Sequence, residues 1–488
     1  MDSPAAKSDA RHGRDLTTGS IPRLMIAFSL PMLAGSLLQT AHSFINAIWV
    51  GKFLGKSELA AVTVSFPVIF VLIALGAGLT MATNILISQY YGAREMGQVR
   101  KVVDSSTIMI GVISLLLVVI GLIFAEPILR LMDTPETVLP MAVSYLRIFL
   151  LALPCGFGLF LIRSMLQGIG DSTTPLYFIA GSVVLTVILD PLLMFGWLGF
   201  PRLGLNGTAW AAVIAQVLAL ATLVVYLHRR KSPVSPSWFH LRIDLPTTWT
   251  TIAVGIPSAV QQSLVSIGMV VVIGFVNQFG EDATAAFGAA SRIDQLAFMP
   301  AMTFSMAIAT LAGQNIGAQK YHRIREIFLW GLVLSGGFTL VASALALTIP
   351  HVLMSIFLDV KETAVIDIGV NYLRVVGSFY IFFAFMFVSN GIINGSGHTF
   401  VTTVVSLLAL WAVRVPLAWF LAHRMDSVTG VWYAMAVSFF VSMLISFGYY
   451  LSGHWKRPVI RKHAVPVPPD SAEGETLEDE DAASLHQT

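Results

Sequence analysis

The chain has 488 residues, of which 56% are apolar and only 11% are charged, against roughly 25% charged in an ordinary soluble domain. So few charges cannot cover a water-facing surface, which places the chain in lipid. A net charge of +2 and the lack of any recognition motif give no basis for a nucleic-acid partner, and the single cysteine, Cys155, excludes internal disulfides and clustered thiolate metal sites.

Taken in chain order, residues 1–20 are polar, lack the basic-then-apolar order of a cleaved signal, and read as a solvated tail. A helix needs roughly 20 mainly apolar residues to cross the hydrocarbon core. Twelve such runs follow, at 22–50, 59–86, 103–125, 139–166, 173–198, 206–228, 249–277, 284–312, 327–349, 365–393, 399–422 and 428–452. Lipid offers no partner for free backbone groups, so each run is helical. A basic, Pro/Ser-rich stretch divides them, which gives a layout of 21–228 (six spans), 229–247 (linker), 248–453 (six spans) and a tail, basic then acidic, at 454–488. Seven acids between Asp470 and Asp481, with no apolar pattern, make disorder the expected state there. Of the lysines and arginines, 18 fall on the side of the N-terminus and 6 on the other, which predicts both termini in the cytoplasm.

The halves repeat. Gln-Tyr-Tyr-Gly-Ala-Arg at 89–94 returns as Gln-Asn-Ile-Gly-Ala-Gln at 314–319, and Tyr-Leu-Arg at 145–147 returns at 372–374. Leu-Gln-Gly-Ile-Gly-Asp at 166–171 returns as Ile-Asn-Gly-Ser-Gly-His at 393–398, while Pro31 pairs with Pro257 and Pro191 with Pro416. Offsets of 225 to 227 throughout argue for duplication. Six spans per half is an even number, so both halves share one orientation, as in parallel-repeat transporters that rock about a central site.

A carboxylate at mid-bilayer is costly and usually functional. Asp190 and Asp294 are the acids well inside spans. Asp190 precedes Pro191, whose missing N–H opens the backbone ladder nearby, an arrangement that suits a proton or small cation; the bland alternative is a structural pair with Arg147. Asp294 reads as interhelical glue, as does its neighbour Arg292, and Arg414 beside Pro416 is open to a contact across the halves. Gln39, His42 and Asn46 share one face of the first span, and Tyr145, Arg163 and Thr208 add polar groups in the same half; any one amide is more often a simple interhelical bond. The sequence holds no nucleotide-binding loop and no catalytic or metal-ligand motif, so no enzyme activity and no cofactor are expected, and energy would come from a transported H⁺ or Na⁺.

Ser-Leu-Pro-Met at 29–32, Ala-Ile-Trp-Val-Gly at 47–51, the paired Gln-x-x-Gly-Ala loops, Gln-Gly-Ile-Gly-Asp-Ser-Thr-Thr-Pro at 167–175 and Leu-Asp-Pro at 189–191 together resemble the multidrug and toxic compound extrusion (MATE) family, nearest its DinF-like branch. The resemblance spans residues 20–453 and implies an all-α membrane protein of twelve helices in two pseudo-symmetric six-helix lobes. It also implies export of small amphipathic compounds by antiport. Carried over, it implies a coupling site at Asp190, Asn46, Thr186 and Thr208 and a substrate cavity at Gln39, Tyr145 and Arg163 in a bacterial inner membrane; His42 joins that cavity on the strength of the shared first-span face. Asn46 stands where the family has a carboxylate and Thr186 where it has an amide. A single titrating group, Asp190, is therefore expected to couple H⁺, with Na⁺ as the alternative ion and a lipid-linked precursor flippase as the alternative function. A channel or a non-transporting scaffold is the remaining rival. The expected partners are cargo and membrane lipid, and the expected state is a monomer.

Overall fold

The computed structural model describes residues 13–49, 53–236, 241–358 and 361–456; the acidic segment from Asp470 to Asp481 lies outside them. In the first half, six helices follow one another: α1 (Ile21–Trp49), α2 (Lys56–Gly92), α3 (Met96–Leu131), α4 (Leu139–Gly168), α5 (Thr173–Phe195) and α6 (Leu205–Arg229). The second half runs α7 (Leu245–Asn277), α8 (Glu281–Gly317), α9 (Tyr321–Thr348), the short α10 (Pro350–Ser355), α11 (Thr363–Gly377), α12 (Tyr380–Gly395), α13 (Thr399–Leu407), α14 (Val415–Met425) and α15 (Thr429–Ser452). Among the described residues eleven helices are long and apolar enough to cross a membrane, with α13 and α14 counted as one, and α11 with α12, bent by 47°, makes a twelfth. No strand occurs among them.

Local chemistry sets the breaks. Asp244 accepts the Thr247 backbone N–H at 3.0 Å and its hydroxyl at 2.6 Å, capping α7. Asp171 does the same for α5 through the backbone N–H groups of Thr173 and Thr174. The π-helical stretch Leu408–Arg414 leads into Pro416, whose missing N–H leaves one bond of the ladder unmade while the helix runs on through α14.

The duplication is visible as geometry. Arg94 and Gln319 both take left-handed φ, 62° and 60°, as do Gly170 and Gly397 at 85° and 92°. Gln89 donates its side-chain N–H to the Gly395 carbonyl at 2.7 Å, and Gln314 donates to the Gly168 carbonyl at 2.9 Å. Each repeated glutamine thus caps the helix end of the opposite half, a reciprocal contact characteristic of a two-fold axis. Gly92 and Gly317 are needed for the same crossing: a Cβ on Gly92 would lie 2.7 Å from the Gln314 carbonyl carbon, and one on Gly317 the same distance from that of Gln89.

The halves are joined at the end where α1 begins. There Gly78 packs on Ala259, Gly255 on Leu79 and Gly313 on Ser88, and the Thr310 hydroxyl donates to Asn84 at 3.1 Å. Leu24, Met25, Phe28 and Met32 of α1 are buried with Phe304, Ile308 and Leu311 of α8 and Ile327 of α9, while the later part of α1 packs on α5. α1 therefore fastens to both halves.

The N-terminal segment departs from the expected solvated tail once Gly13 is reached. Leu16 is fully buried. Its N–H donates to Gln314 Oε1 at 2.9 Å, its carbonyl accepts from Asn315 at 3.2 Å, and Lys320 Nζ donates to the Thr17 carbonyl at 2.9 Å. Arg14 N–H donates to the Ile169 carbonyl at 2.9 Å, so this strap ties the α4–α5 loop to α8 and α9. The physical reason is unmet backbone and amide groups at the joint, which burial would otherwise leave without partners. Among the described residues no such strap covers the first half's glutamine, and Gln89 Oε1 is left without a partner. At the other terminus the chain turns at His454–Lys456 and Trp455 stacks on Tyr450, so order runs past residue 453.

Candidate functional site

A cavity of about 220 Å³ opens inside the first half, between α1, α4, α5 and α6. One face of α4 supplies Phe149, Leu153, Gly156, Phe160 and Arg163, at alternating spacings of four and three that keep them in line. α1 contributes Gln39 and His42, α5 contributes Phe178, Ser182 and Thr186, and α6 contributes Gln216. Gly156 makes room for Gln216, whose Oε1 would lie 2.7 Å from a Cβ there. His42 Nε2 is buried without a hydrogen-bond partner, and Arg163 has no ion pair or hydrogen bond among the described residues.

Asp190 lies one turn beyond Thr186 on α5, fully buried. Asn46 of α1 donates an amide N–H to its Oδ2 at 3.2 Å, and Oδ1 has no partner. Pro191 has no N–H for the Val187 carbonyl, so α5 is weakened next to the acid. Arg147 is exposed and forms no pair with Asp190; the partner is the first-span amide instead. Thr186 and Thr208 are buried nearby, but their hydroxyls donate to the carbonyls of Ser182 at 2.8 Å and Leu205 at 2.9 Å within their own helices. The structure thus brings Asn46 to Asp190 and lines the cavity with Gln39, His42, Arg163 and Thr186. Tyr145 falls outside the lining, buried in the hydrophobic core of the first half.

In the second half, aromatic side chains fill the position that matches the cavity wall. With the 227-residue offset, Gly156 corresponds to Phe383, which stacks on Phe298 with ring centroids 3.9 Å apart. Phe287 stacks on Trp432 at 5.5 Å in the same core. Asp294 is buried there and accepts from the hydroxyls of Tyr372 and Tyr380, 78 and 86 residues away; Tyr372 is the repeat counterpart of Tyr145, whereas no motif marks Tyr380. Arg292 lies over the Phe357 ring at 5.8 Å. Arg414 stays within the half, donating from Nε to Ser438 Oγ at 2.7 Å and stacking over Phe439 at 4.7 Å, so the contact across halves is not made.

The MatE family model matches the chain twice, over residues 31–192 and 257–420, in register with the two halves. A relative named "Probable multidrug resistance protein YoeA" from Bacillus subtilis (strain 168) is 34% identical over 450 residues, covering 91% of this chain and 96% of its own. A protein of Shewanella oneidensis named "FAD transporter" is 27% identical over 328 residues, 66% of this chain and 71% of its own. Among solved structures, a multidrug resistance MATE family transporter of the MOP superfamily in an outward-facing conformation superposes with a TM-score of 0.84 at 22% identity, covering 90% of this chain and 97% of that one. The chain, a multi-pass helical membrane protein with two matched lobes, belongs to the MATE family.

Proposed function

We propose that this protein is a secondary active exporter of small amphipathic compounds, driven by inward movement of H⁺ and coupled through Asp190. The observation that carries the reading is the state of that carboxylate. It is wholly buried, held on one oxygen by Asn46 and unpartnered on the other, one turn from the cavity wall on a helix weakened by proline. The similarity to the relative named a probable multidrug resistance protein supports export of drugs.

In the ionised form the Asn46 amide is a charge-assisted donor and fastens α1 to α5. A proton on Asp190 removes the charge and weakens that bond. Because α1 is also docked in the second half, its release from α5 transmits the change to the joint between lobes, with Pro31 as the bend. The Lys/Arg bias puts that joint in the cytoplasm, so the cavity faces outward in this arrangement; cargo leaves as the proton arrives, and proton release on the inner side resets the cycle. Na⁺ is disfavoured by the donor set. Asn46 directs its amide nitrogen, not its oxygen, to the acid, whereas a hard cation takes several oxygen ligands.

The test is transport by purified protein in liposomes with H⁺ and Na⁺ gradients imposed separately. The expected result is cargo movement under the H⁺ gradient alone and its loss in Asp190→Asn. Undiminished coupled flux in that variant refutes the reading.

A further inference from the structure

The polar lining of the first-half cavity carries charge of one sign. Arg163 reaches it from α4, and no acid is among the lining residues. Asp190, one turn along α5, is already bonded to Asn46. Arg163 has neither ion pair nor hydrogen bond among the described residues, so its guanidinium faces the cavity without a counter-charge. His42 adds a buried Nε2 that lacks a partner, and Gln39, Ser182 and Gln216 add neutral groups. Phe149, Phe160 and Phe178 supply apolar faces around them.

A buried cation demands a counter-charge and full hydrogen bonding. The guanidinium fork matches the paired oxygens of a carboxylate, phosphate or sulfonate. An organic cation placed here would meet Arg163 with no acid in the wall to offset the repulsion, a feature that selects against it. We propose that the cavity takes amphipathic organic anions, a flat aromatic body bearing one acidic group that pairs with Arg163 while the phenylalanines hold the rings. The inference rests on the cavity being the cargo site and is independent of the coupling ion.

The experiment measures equilibrium binding to the purified full chain in phosphatidylcholine nanodiscs. The probes are a methoxycoumarin carboxylate, its neutral ethyl ester and its cationic aminoethyl amide. A charge-assisted pair is worth at least about tenfold in affinity, so the carboxylate is expected to bind at least about tenfold more tightly than either analogue. Arg163→Gln is expected to erase that preference while ester binding, unchanged, reports an intact cavity; Arg163→Lys is expected to retain part of it. Equal or tighter binding of the cationic amide, survival of the preference in Arg163→Gln, or no binding by any probe overturns the proposal. Repeating the titration with phosphatidylglycerol in the nanodisc separates the two sources of anion. Unchanged affinity assigns the site to soluble cargo, and displacement assigns it to a lipid headgroup and overturns it. No gradient is imposed, so a failure of H⁺ coupling leaves this result untouched, and the reverse holds as well.

Discussion

A methyl group at Gly92 tests the joint between the lobes at its tightest point. The added Cβ overlaps the Gln314 carbonyl oxygen and lies 2.7 Å from its carbonyl carbon, where ordinary contact begins at 3.4 Å. The obstacle is backbone, which no rotamer change moves aside, so α2 and α8 must part by about 1 Å at this crossing. A shift of that size takes the Gln89–Gly395 bond of 2.7 Å and the Gln314–Gly168 bond of 2.9 Å out of range. At about 1 kcal/mol net for each bond, the joined state loses about 2 kcal/mol, a shift of roughly thirtyfold in the equilibrium between joined and parted lobes. The assay is pulsed electron–electron spin resonance between labels at positions 97 and 322, which sit at the exposed starts of α3 and α9, in a Cys155→Ser background. Gly92→Ala is expected to move population to longer distances. Gly317→Ala, its partner about the two-fold axis, is expected to do the same. An unchanged distance distribution in folded protein, or a response from only one glycine of the pair, refutes the reasoning.

Two further outcomes follow from groups outside the cavity. Tyr372→Phe withdraws one of two hydroxyls from buried Asp294; a hydrogen bond to a charged acceptor contributes about 1.5–3 kcal/mol, so melting falls by a few degrees while coumarin binding in the first half is unchanged, and an unaltered melting curve contradicts this. Burial, and then neighbouring His454, hold the His398 imidazole below its ordinary range. The fold therefore selects the neutral form: its contribution is complete above the ordinary histidine pKa of about 6.5 and is lost as pH falls from there through the lowered value. His398→Gln is expected to flatten the drop in melting temperature on acidification, and an equally steep drop in the variant contradicts that.

Much of this architecture is legible in the order of residues, because lipid makes length and hydropathy decisive and duplication repeats rare turns. The two Gln-x-x-Gly-Ala segments are detectable as similar strings; their reciprocal capping of Gly168 and Gly395 is not, since it depends on how the halves dock. Asp190 is found by cost alone, as a carboxylate in a run of apolar residues. Its partner is not: Arg147 is near in sequence terms but exposed, whereas Asn46 is 144 residues away and meets it only once α1 lies on α5. The aromatic lining is open to detection, because Phe149, Gly156, Phe160 and Arg163 repeat at helical spacing on α4. The asymmetry between lobes turns on Gly156 against Phe383, which the repeat alignment pairs but which only packing shows to be an opened and a filled interior. The strap at 13–20 carries a polar sequence like a free tail; the unmet groups of Gln314, Asn315 and Lys320 that bind it lie about 300 residues on.

The central claim is tested most directly by the proton signal itself. Purified protein is sealed in liposomes with a pH-sensitive dye inside, and cargo is allowed to run down its own gradient with no Na⁺ present. Wild-type protein is predicted to move protons in the direction opposite to the cargo, and Asp190→Asn to move cargo without protons or not at all. A dye that stays silent with the wild type while cargo crosses, or that responds equally in both proteins, contradicts the account.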